Sequence, residues 1–275
     1  MHFLYLVATP IGNLEDITLR AIRVLKEAAF IAAEDTRKTK ILLKKYHITT
    51  PLCSFYEHSG AGKIEYILKA LEEGDVAVVS EAGMPGISDP GYELVVRAAE
   101  KGVRVIPVPG PSAVVSAVAA SALPADSFLF MGFLPRKKGD RRRILEHNEL
   151  QTATLVIYEA PHRLSGALND IMQILGDRRI SVCREITKIY EEIFRGTVSQ
   201  AINHFVQPKG EFTLVIEGWK ETAGGTTGQE ISSRIKDMKN SGIKAKDAVR
   251  VIVEETGLKR RDVYRAWLED KKSKS

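Results

Sequence analysis

Two α/β domains followed by a small helical domain are the architecture this sequence predicts, on three observations. Ten short apolar, β-branched runs alternate with amphipathic helical stretches over the first 218 residues, the pattern of sheets covered by helices. A Pro- and Gly-rich segment, Pro109–Ser112, separates the first five runs from the last five. A flexible linker by composition, Ala223-Gly224-Gly225-Thr226-Thr227-Gly228, comes next, and beyond it the pattern is purely helical. The expected boundaries are 1–111 and 112–220 for the α/β domains, 221–229 for the linker and 230–275 for the helical domain.

In chain order, strands are expected at 3–8, 29–33, 51–55, 75–80 and 103–108, then at 127–133, 153–158, 180–186, 192–197 and 212–217. The first reads Met1-His2-Phe3-Leu4-Tyr5-Leu6-Val7, with no basic region ahead of it and a Pro-Ile-Gly turn directly after. That is a strand and not a signal peptide. Helices are expected at Ile17–Ala28, Thr36–Tyr46, Gly62–Leu71, Gly91–Glu100, Ala113–Ala122 and His162–Leu175. Asp89-Pro90 also makes a sound N-cap and N1 pair, so a helix start is the plain alternative to a ligand role for Asp89. Past the linker come Ile231–Met238, Ala245–Glu255 and Arg260–Leu268. The turn Thr256-Gly257-Leu258 precedes a last helix decorated by Lys259, Arg260, Arg261 and Arg265. This resembles a helix-turn-helix, with a helical module for dimer contacts as the alternative.

A chain of 275 residues with 44% apolar and 27% charged residues is globular, and large enough to need no disulfide staples. Cys53 and Cys183 are isolated and the six histidines show no His-x-x-x-His spacing, so a zinc site and a disulfide framework are not expected, and the compartment is read as reducing. Prolines break the uncharged stretch Val105–Ala125 before it reaches the length of a membrane span. A cytoplasmic protein with no membrane or metal partner is the expectation.

Charge is unevenly placed. From Trp219 onward there are 14 Lys/Arg against 9 Asp/Glu, whereas the first 218 residues balance at 26 each. Inside the neutral body, Arg136–Arg143 holds six positive charges and one negative. Either segment alone reads equally well as a solvated face. Together they point to a polyanionic partner, with nucleic acid the obvious candidate.

Three glycine-rich turns follow expected strands: Thr9–Asn13, Glu81–Gly91 and Pro109–Ala113. Glycine permits close backbone approach, and strand ends are where open α/β sheets bind ligands. None of the turns is G-x-G-x-x-G or a P-loop. In the second domain, Glu159, His162 and Arg163 form a polar cluster where a strand hands over to a helix, and Arg184–Lys188 is a second polar segment. A capped helix with an exposed His and Arg explains the first cluster as well. Arg37, Lys38, Lys40, Lys44 and Lys45 on the second helix read equally as a solvated face.

These segments together resemble the tetrapyrrole methylase superfamily and, within it, the ribosomal RNA small-subunit methyltransferase I family. The matching stretches are VATPIGNLEDIT, AEDTRKT, SEAGMPGISDPG, PVPGPSA, GFLPRK, YEAPHR, REITK with the following EE and RGT, and GEFTLVIEG, from about residue 4 to 218. The helical tail is similar to that family's C-terminal extension. Two departures are visible: Ser59-Gly60 after His58 stands where a His-Asn pair is expected to end, and Met84 where Thr is common. The resemblance implies a fold of tetrapyrrole-methylase type with the active-site cleft between its two α/β domains, S-adenosylmethionine in that cleft, and usually a homodimer. It implies methylation of a cytidine ribose 2′-hydroxyl in the decoding region of 16S ribosomal RNA on the small subunit.

Carried over residue by residue, it assigns Pro10, Gly12, Gly83, Asp89, Gly110, Pro111 and Ser112 to holding or shaping the donor pocket. Glu159, His162, Arg163 and Lys188 go to the reaction centre, with the base left open among them. A sister enzyme methylating a tetrapyrrole or a modified histidine (diphthine type) would need neither basic segment. A non-catalytic nucleic-acid-binding regulator would leave the three glycine turns unexplained.

Overall fold

In the computed structural model, which describes residues 2–56, 59–87, 91–220, 228–256, 263–264 and 266–268, the chain divides into two compact units, Met1–Trp219 and Lys220–Ser275. The first unit holds two five-stranded sheets. β1 (Phe3–Val7), β2 (Phe30–Ala33), β3 (Leu52–Ser54), β4 (Val76–Val79) and β5 (Arg104–Val108) form an all-parallel sheet in the order β3-β2-β4-β1-β5. Val76–Val79 is buried along its whole length, as a parallel strand covered on both faces must be. α1 (Leu19–Glu27) and α2 (Thr36–Lys45) cover one face, and α3 (Ala61–Ala70) and α4 (Tyr92–Glu100) the other. The side chains of Thr18 and Asp35 cap α1 and α2, accepting from the backbone N–H groups of the first turn. All four strand ends that matter to the site, those of β1, β2, β4 and β5, point to one edge because the strands are parallel.

The second sheet is mixed. β6 (Phe128–Phe133) pairs parallel with β7 (Thr154–Glu159), and β10 (Phe212–Ile216), β8 (Arg179–Arg184) and β9 (Glu192–Thr197) continue antiparallel in the order β6-β7-β10-β8-β9. α6 (Lys138–His147), α7 (Pro161–Leu175) and α8 (Val198–His204) pack on one face around Leu145, Leu164, Leu168 and Ile171. α5 (Ala113–Ala120) follows β5 of the first sheet yet buries Val114, Ala117 and Val118 against Val156 and Val215 of the second. The segment read as the junction between the two α/β halves therefore leads into a helix that packs on the second sheet.

All ten expected strands form, with ends shifted by a residue or two, and so do the six expected helices of this unit, although α4 begins at Tyr92 with Gly91 as its N-cap and not at the Asp89-Pro90 pair. Two further helices were not expected. α8 is short and carries a capping box, with Thr197 accepting from the Gln200 N–H while the Gln200 side chain accepts from the Thr197 N–H. α6 lies inside the basic run. It places Arg141 in the interior, where Asp170 of α7 takes Nε at 2.8 Å and Nη2 at 2.5 Å. Arg142 reaches Asp170 at 3.3 Å and Gln173 at 2.6 Å, and Arg143 pairs with Asp140 at 3.6 Å. Arg141 and Arg142 are thus taken up within the fold, and Arg136, Lys137, Lys138 and Arg143 remain solvent-exposed, Arg143 beside Asp140.

In the second unit, α9 (Gly228–Asn240) and α10 (Ala245–Thr256) pack with a further helical stretch that includes residues 263–264 and 266–268, around Ile235, Val249, Ile252, Val263 and Trp267. Lys239 donates to the Trp267 carbonyl at 2.7 Å and sits over its ring at 4.9 Å. The turn Gly257-Leu258 and the residues Lys259–Arg261 and Arg265 lie outside the described residues. No helix among the described residues is long and apolar enough to cross a membrane.

Candidate active site

The loops that leave the parallel strands interlock before they reach the second sheet. Thr9 and Gly83 exchange backbone hydrogen bonds at 2.9 and 3.0 Å, Ala8 donates to the Val108 carbonyl, and Ser80 donates to the Ala82 and Gly83 carbonyls. The Pro111 carbonyl lies against Gly83, and Gly110 packs so closely on Ala8 that a Cβ there would sit 3.0 Å from the Ala8 Cβ. Ser112 caps α5, accepting from the Val115 N–H at 3.5 Å. Pro10, half-buried, follows Thr9 in the same cluster.

Gly12 does something different. A Cβ on it would collide with Lys188 Cγ and Thr187 Oγ1, and the Ile186 carbonyl is only 3.1 Å from that position. Beside it, the Asn13 N–H donates to Thr187 Oγ1 at 3.1 Å. Gly12 is the contact point between the loop after β1 and the loop after β8. That second loop holds Glu185 and Thr187 at φ of 51° and 67°, conformations that cost a non-glycine residue about 1–2 kcal/mol each. Local bonds hold it: Glu185 N–H to the Glu211 carbonyl at 2.9 Å, Glu211 N–H to Glu185 Oε1 at 2.8 Å, and Thr187 N–H to Glu191 at 2.6 Å.

Between these loops and the ends of β7, β8 and β10 opens a cleft of about 400 Å3, within the range of small-ligand sites. Ile11, Glu34, Ala82, Gly83, Met84, Ile87 and Ser112 line it from the first half. Phe133, Tyr158, Glu159, Cys183, Ile186, Glu211 and Thr213 line it from the second. The walls are largely apolar, and their charged side chains among the described residues are four carboxylates, Glu34, Glu81, Glu159 and Glu211. The cations stand behind them: Lys38 pairs with Glu81, Arg163 with Glu159 and Lys188 with Glu211.

Glu159 is the most constrained of the four. Its side chain is fully buried, Oε1 accepts from the Ala160 N–H at 2.9 Å and lies 3.2 Å from Arg163 Nε, and Oε2 has no hydrogen-bond partner. Burial pushes its carboxyl above the usual glutamate range, against the pull of the Ala160 N–H and of Arg163, Arg141 and His162. The Arg163 guanidinium is held mainly by backbone, donating Nη2 to the Leu134 and Pro135 carbonyls. It fixes the exit of β6 beside the carboxylate. For Lys188, burial alone would lower the ammonium, but hydrogen bonds to Glu211 and Glu185 outweigh it and hold the group above the usual lysine range. Burial likewise raises the Cys183 thiol, with the Ser181 hydrogen bond opposing.

Of the residues singled out in the sequence, Gly83, Ser112 and Glu159 line the cleft. Pro10, Gly110 and Pro111 belong to the loops that build its first wall, and Gly12 and Lys188 to the junction at its end. Arg163 stands behind Glu159, and His162 is exposed on the first turn of α7. Asp89 and His58 lie outside the described residues. Arg37, Lys38, Lys40, Lys44 and Lys45 are exposed on α2. The cleft residues missed in the sequence are mostly strand residues, Phe133, Tyr158, Cys183 and Thr213, whose alternation reads as core. Glu34 carried a polar signal, directly following an apolar strand.

Known proteins place this arrangement. The sequence pattern of the tetrapyrrole (corrin/porphyrin) methylases matches residues 3–202. A protein of Halalkalibacterium halodurans named ribosomal RNA small subunit methyltransferase I is 48% identical over 272 residues, covering 96% of this chain and 94% of its own length. A Thermotoga maritima protein of the same name is 52% identical over 221 residues, 79% of this chain and 99% of its own. Among solved structures, the methyltransferase CobJ superposes with a TM-score of 0.61 at 17% identity, over 79% of this chain and 95% of that one. This chain belongs to the tetrapyrrole methylase family and, within it, to the group of the ribosomal RNA small subunit methyltransferase I proteins.

Proposed function

We propose that the chain transfers a methyl group from S-adenosylmethionine to the ribose 2′-hydroxyl of a cytidine in 16S ribosomal RNA, working on the small subunit, in the cytoplasm and as a homodimer. The observation that carries this reading is the cleft where the strand-end loops of a parallel sheet meet the buried carboxylate of Glu159. The curated relatives' names point the same way. The cleft suits the donor on three counts. Its volume fits a small ligand, Glu34 stands in its wall with no cation paired to it among the described residues, and the free Glu159 Oε2 leaves a buried acceptor for a ligand or substrate proton.

When bound, S-adenosylmethionine supplies a methyl group on a cationic sulfur that leaves as a neutral thioether. Gly83, Ser112 and the loops carrying Pro10, Gly110, Pro111 and Asp89 hold it, while Gly12 and Lys188 lock the two walls at the cleft's end. Glu159 is assigned as the proton acceptor for the attacking hydroxyl: it borders the cleft and has an unused oxygen, which is covered in the ligand-free chain and must be uncovered for the hydroxyl to reach it, and its raised affinity for a proton suits that task. Arg163 positions Glu159, and His162 on the exposed rim meets the nucleic acid. Positioning lowers such a barrier by about 7–11 kcal/mol, against about 3–5 kcal/mol for a general base, so the interlocked loops carry the larger share.

The test is transfer of tritiated methyl onto small subunits from a strain lacking this gene, followed by nucleoside mapping. Label in a 2′-O-methylcytidine of 16S RNA is the expected result, and label elsewhere or none refutes the assignment.

The second unit is assigned to RNA docking. The Thermotoga maritima relative, about the length of the first unit, is matched almost completely by 79% of this chain. Donor binding is assigned to the first unit alone. Removal of residues 229–275 is expected to leave calorimetric affinity for S-adenosylmethionine unchanged and to weaken small-subunit binding by tenfold or more at moderate salt, the loss of a few phosphate contacts. Equal subunit affinity of the truncated chain removes that role from the tail.

A further inference from the structure

β6 contains one residue more than its partner between two pairings: Phe130 lies opposite Val156, but Phe133 lies opposite Tyr158. Gly132, at φ 64°, is the residue that makes this possible, because a bulge of this kind needs a left-handed backbone that glycine adopts without strain. The consequence is a change of face. Leu129 and Met131 pack into the core beneath α7, while Phe130 and Tyr158 pack on the opposite side with α5. Regular alternation would send Phe133 after Leu129 and Met131. The bulge instead sets it beside Tyr158, ring centroids 5.5 Å apart, with Phe130 4.9 Å from the same tyrosine. Phe133 ends up lining the cleft with 56% of its surface exposed.

An aromatic ring this exposed, aimed by a bulge into a cleft, has a use for its free face. The chain continues from it as Leu134-Pro135-Arg136-Lys137-Lys138. All three of these cations are exposed. Cations that follow the ring directly in the chain favour a polyanion whose monomers carry flat, stackable rings. We infer that Phe133 is the stacking platform for a nucleobase of the RNA at the mouth of the cleft, with Arg136, Lys137 and Lys138 meeting the phosphates that flank it. The inference rests on the reading of the chain as an RNA methyltransferase and adds the residue that presents the nucleotide. Stacking on a π-face tolerates any base, so this platform orients the target nucleotide and leaves the choice of sequence to other contacts.

The experiment compares wild type, Phe133→Ala and Phe133→Trp in steady-state methyl transfer to unmodified small subunits, with calorimetric binding of S-adenosylmethionine measured alongside. Phe133→Ala is expected to raise KM for the subunit about 5- to 150-fold, the range seen when base-stacking aromatics are truncated, with donor affinity retained. Phe133→Trp is expected to restore KM, which a merely structural role for a half-exposed ring would not require. An unchanged KM in Phe133→Ala overturns the inference. So does a loss confined to donor affinity, which would assign the ring to the donor pocket. If the wild type transfers no methyl to RNA, the functional reading fails first, and that result is distinct because no variant enters into it.

Discussion

Asp170→Ala is expected to destabilise the first unit by about 3–5 kcal/mol, the cost of leaving a buried charge without its partner. Asp170 is almost completely buried on α7, and its two oxygens take Arg141 through Nε and Nη2 and Arg142 through Nη1. Truncating it strands the Arg141 guanidinium against the α6–α7 interface, where water cannot replace the carboxylate without opening the packing around Leu145 and Leu164. For a unit of this size, about 2–4 °C of Tm accompanies each 1 kcal/mol, so thermal unfolding should begin roughly 6–20 °C lower. The double variant Arg141→Met with Asp170→Leu separates the two accounts of the pair. It removes both charges and keeps the volume, and it is expected to recover most of the loss, since a buried pair stabilises little relative to an apolar one. A double variant as unstable as the single would mean that the ion pair itself holds α6 in place.

That pair also shows where the sequence stopped being legible. The strands could be read because a buried strand leaves a continuous apolar run: Val76–Val79 and Phe212–Ile216 are buried at every position. The helices on the parallel sheet could be read because each keeps an apolar stripe on a polar background. α6 has only Ile144 and Leu145 in ten residues, so no stripe exists. What orders it is a carboxylate 29 residues further on, and no local pattern announces such a partner. α8, by contrast, was legible in principle through the Thr197…Gln200 capping box.

The same division holds at the cleft. The glycine turns and the cluster after β7 announce themselves by composition, and they do supply walls of the site. Phe133, Tyr158 and Thr213 look like any other strand residues, and the bulge that re-aims Phe133 has no sequence mark beyond one glycine. Lys188 shows the opposite case: its charge is conspicuous in the sequence, but Glu185 and Glu211 claim it.

Glu159→Gln is expected to lower kcat about 10²–10⁴-fold while leaving the protein at least as stable as the wild type at neutral pH. The two effects have opposite signs because they share one cause. Glu159 is fully buried, and burial raises its carboxyl more than the Ala160 N–H and Arg163 lower it. A carboxyl raised on folding contributes stability that is fully present below the ordinary glutamate range and is lost once pH passes the raised folded value. Above that value the folded chain must keep a charge away from water. Glutamine keeps the side-chain oxygen for the Ala160 N–H and carries no charge, so it removes that cost. Arg163 stays anchored through its bonds to Leu134 and Pro135. The wild-type rate should rise with pH through the Glu159 ionisation, and in Glu159→Gln that limb should be missing. A structural role for Glu159 predicts a lower Tm and an unaltered pH profile in the residual activity. A role in holding the donor predicts a weakened calorimetric affinity with kcat preserved. Only proton transfer predicts lost turnover, retained donor binding and undiminished Tm together.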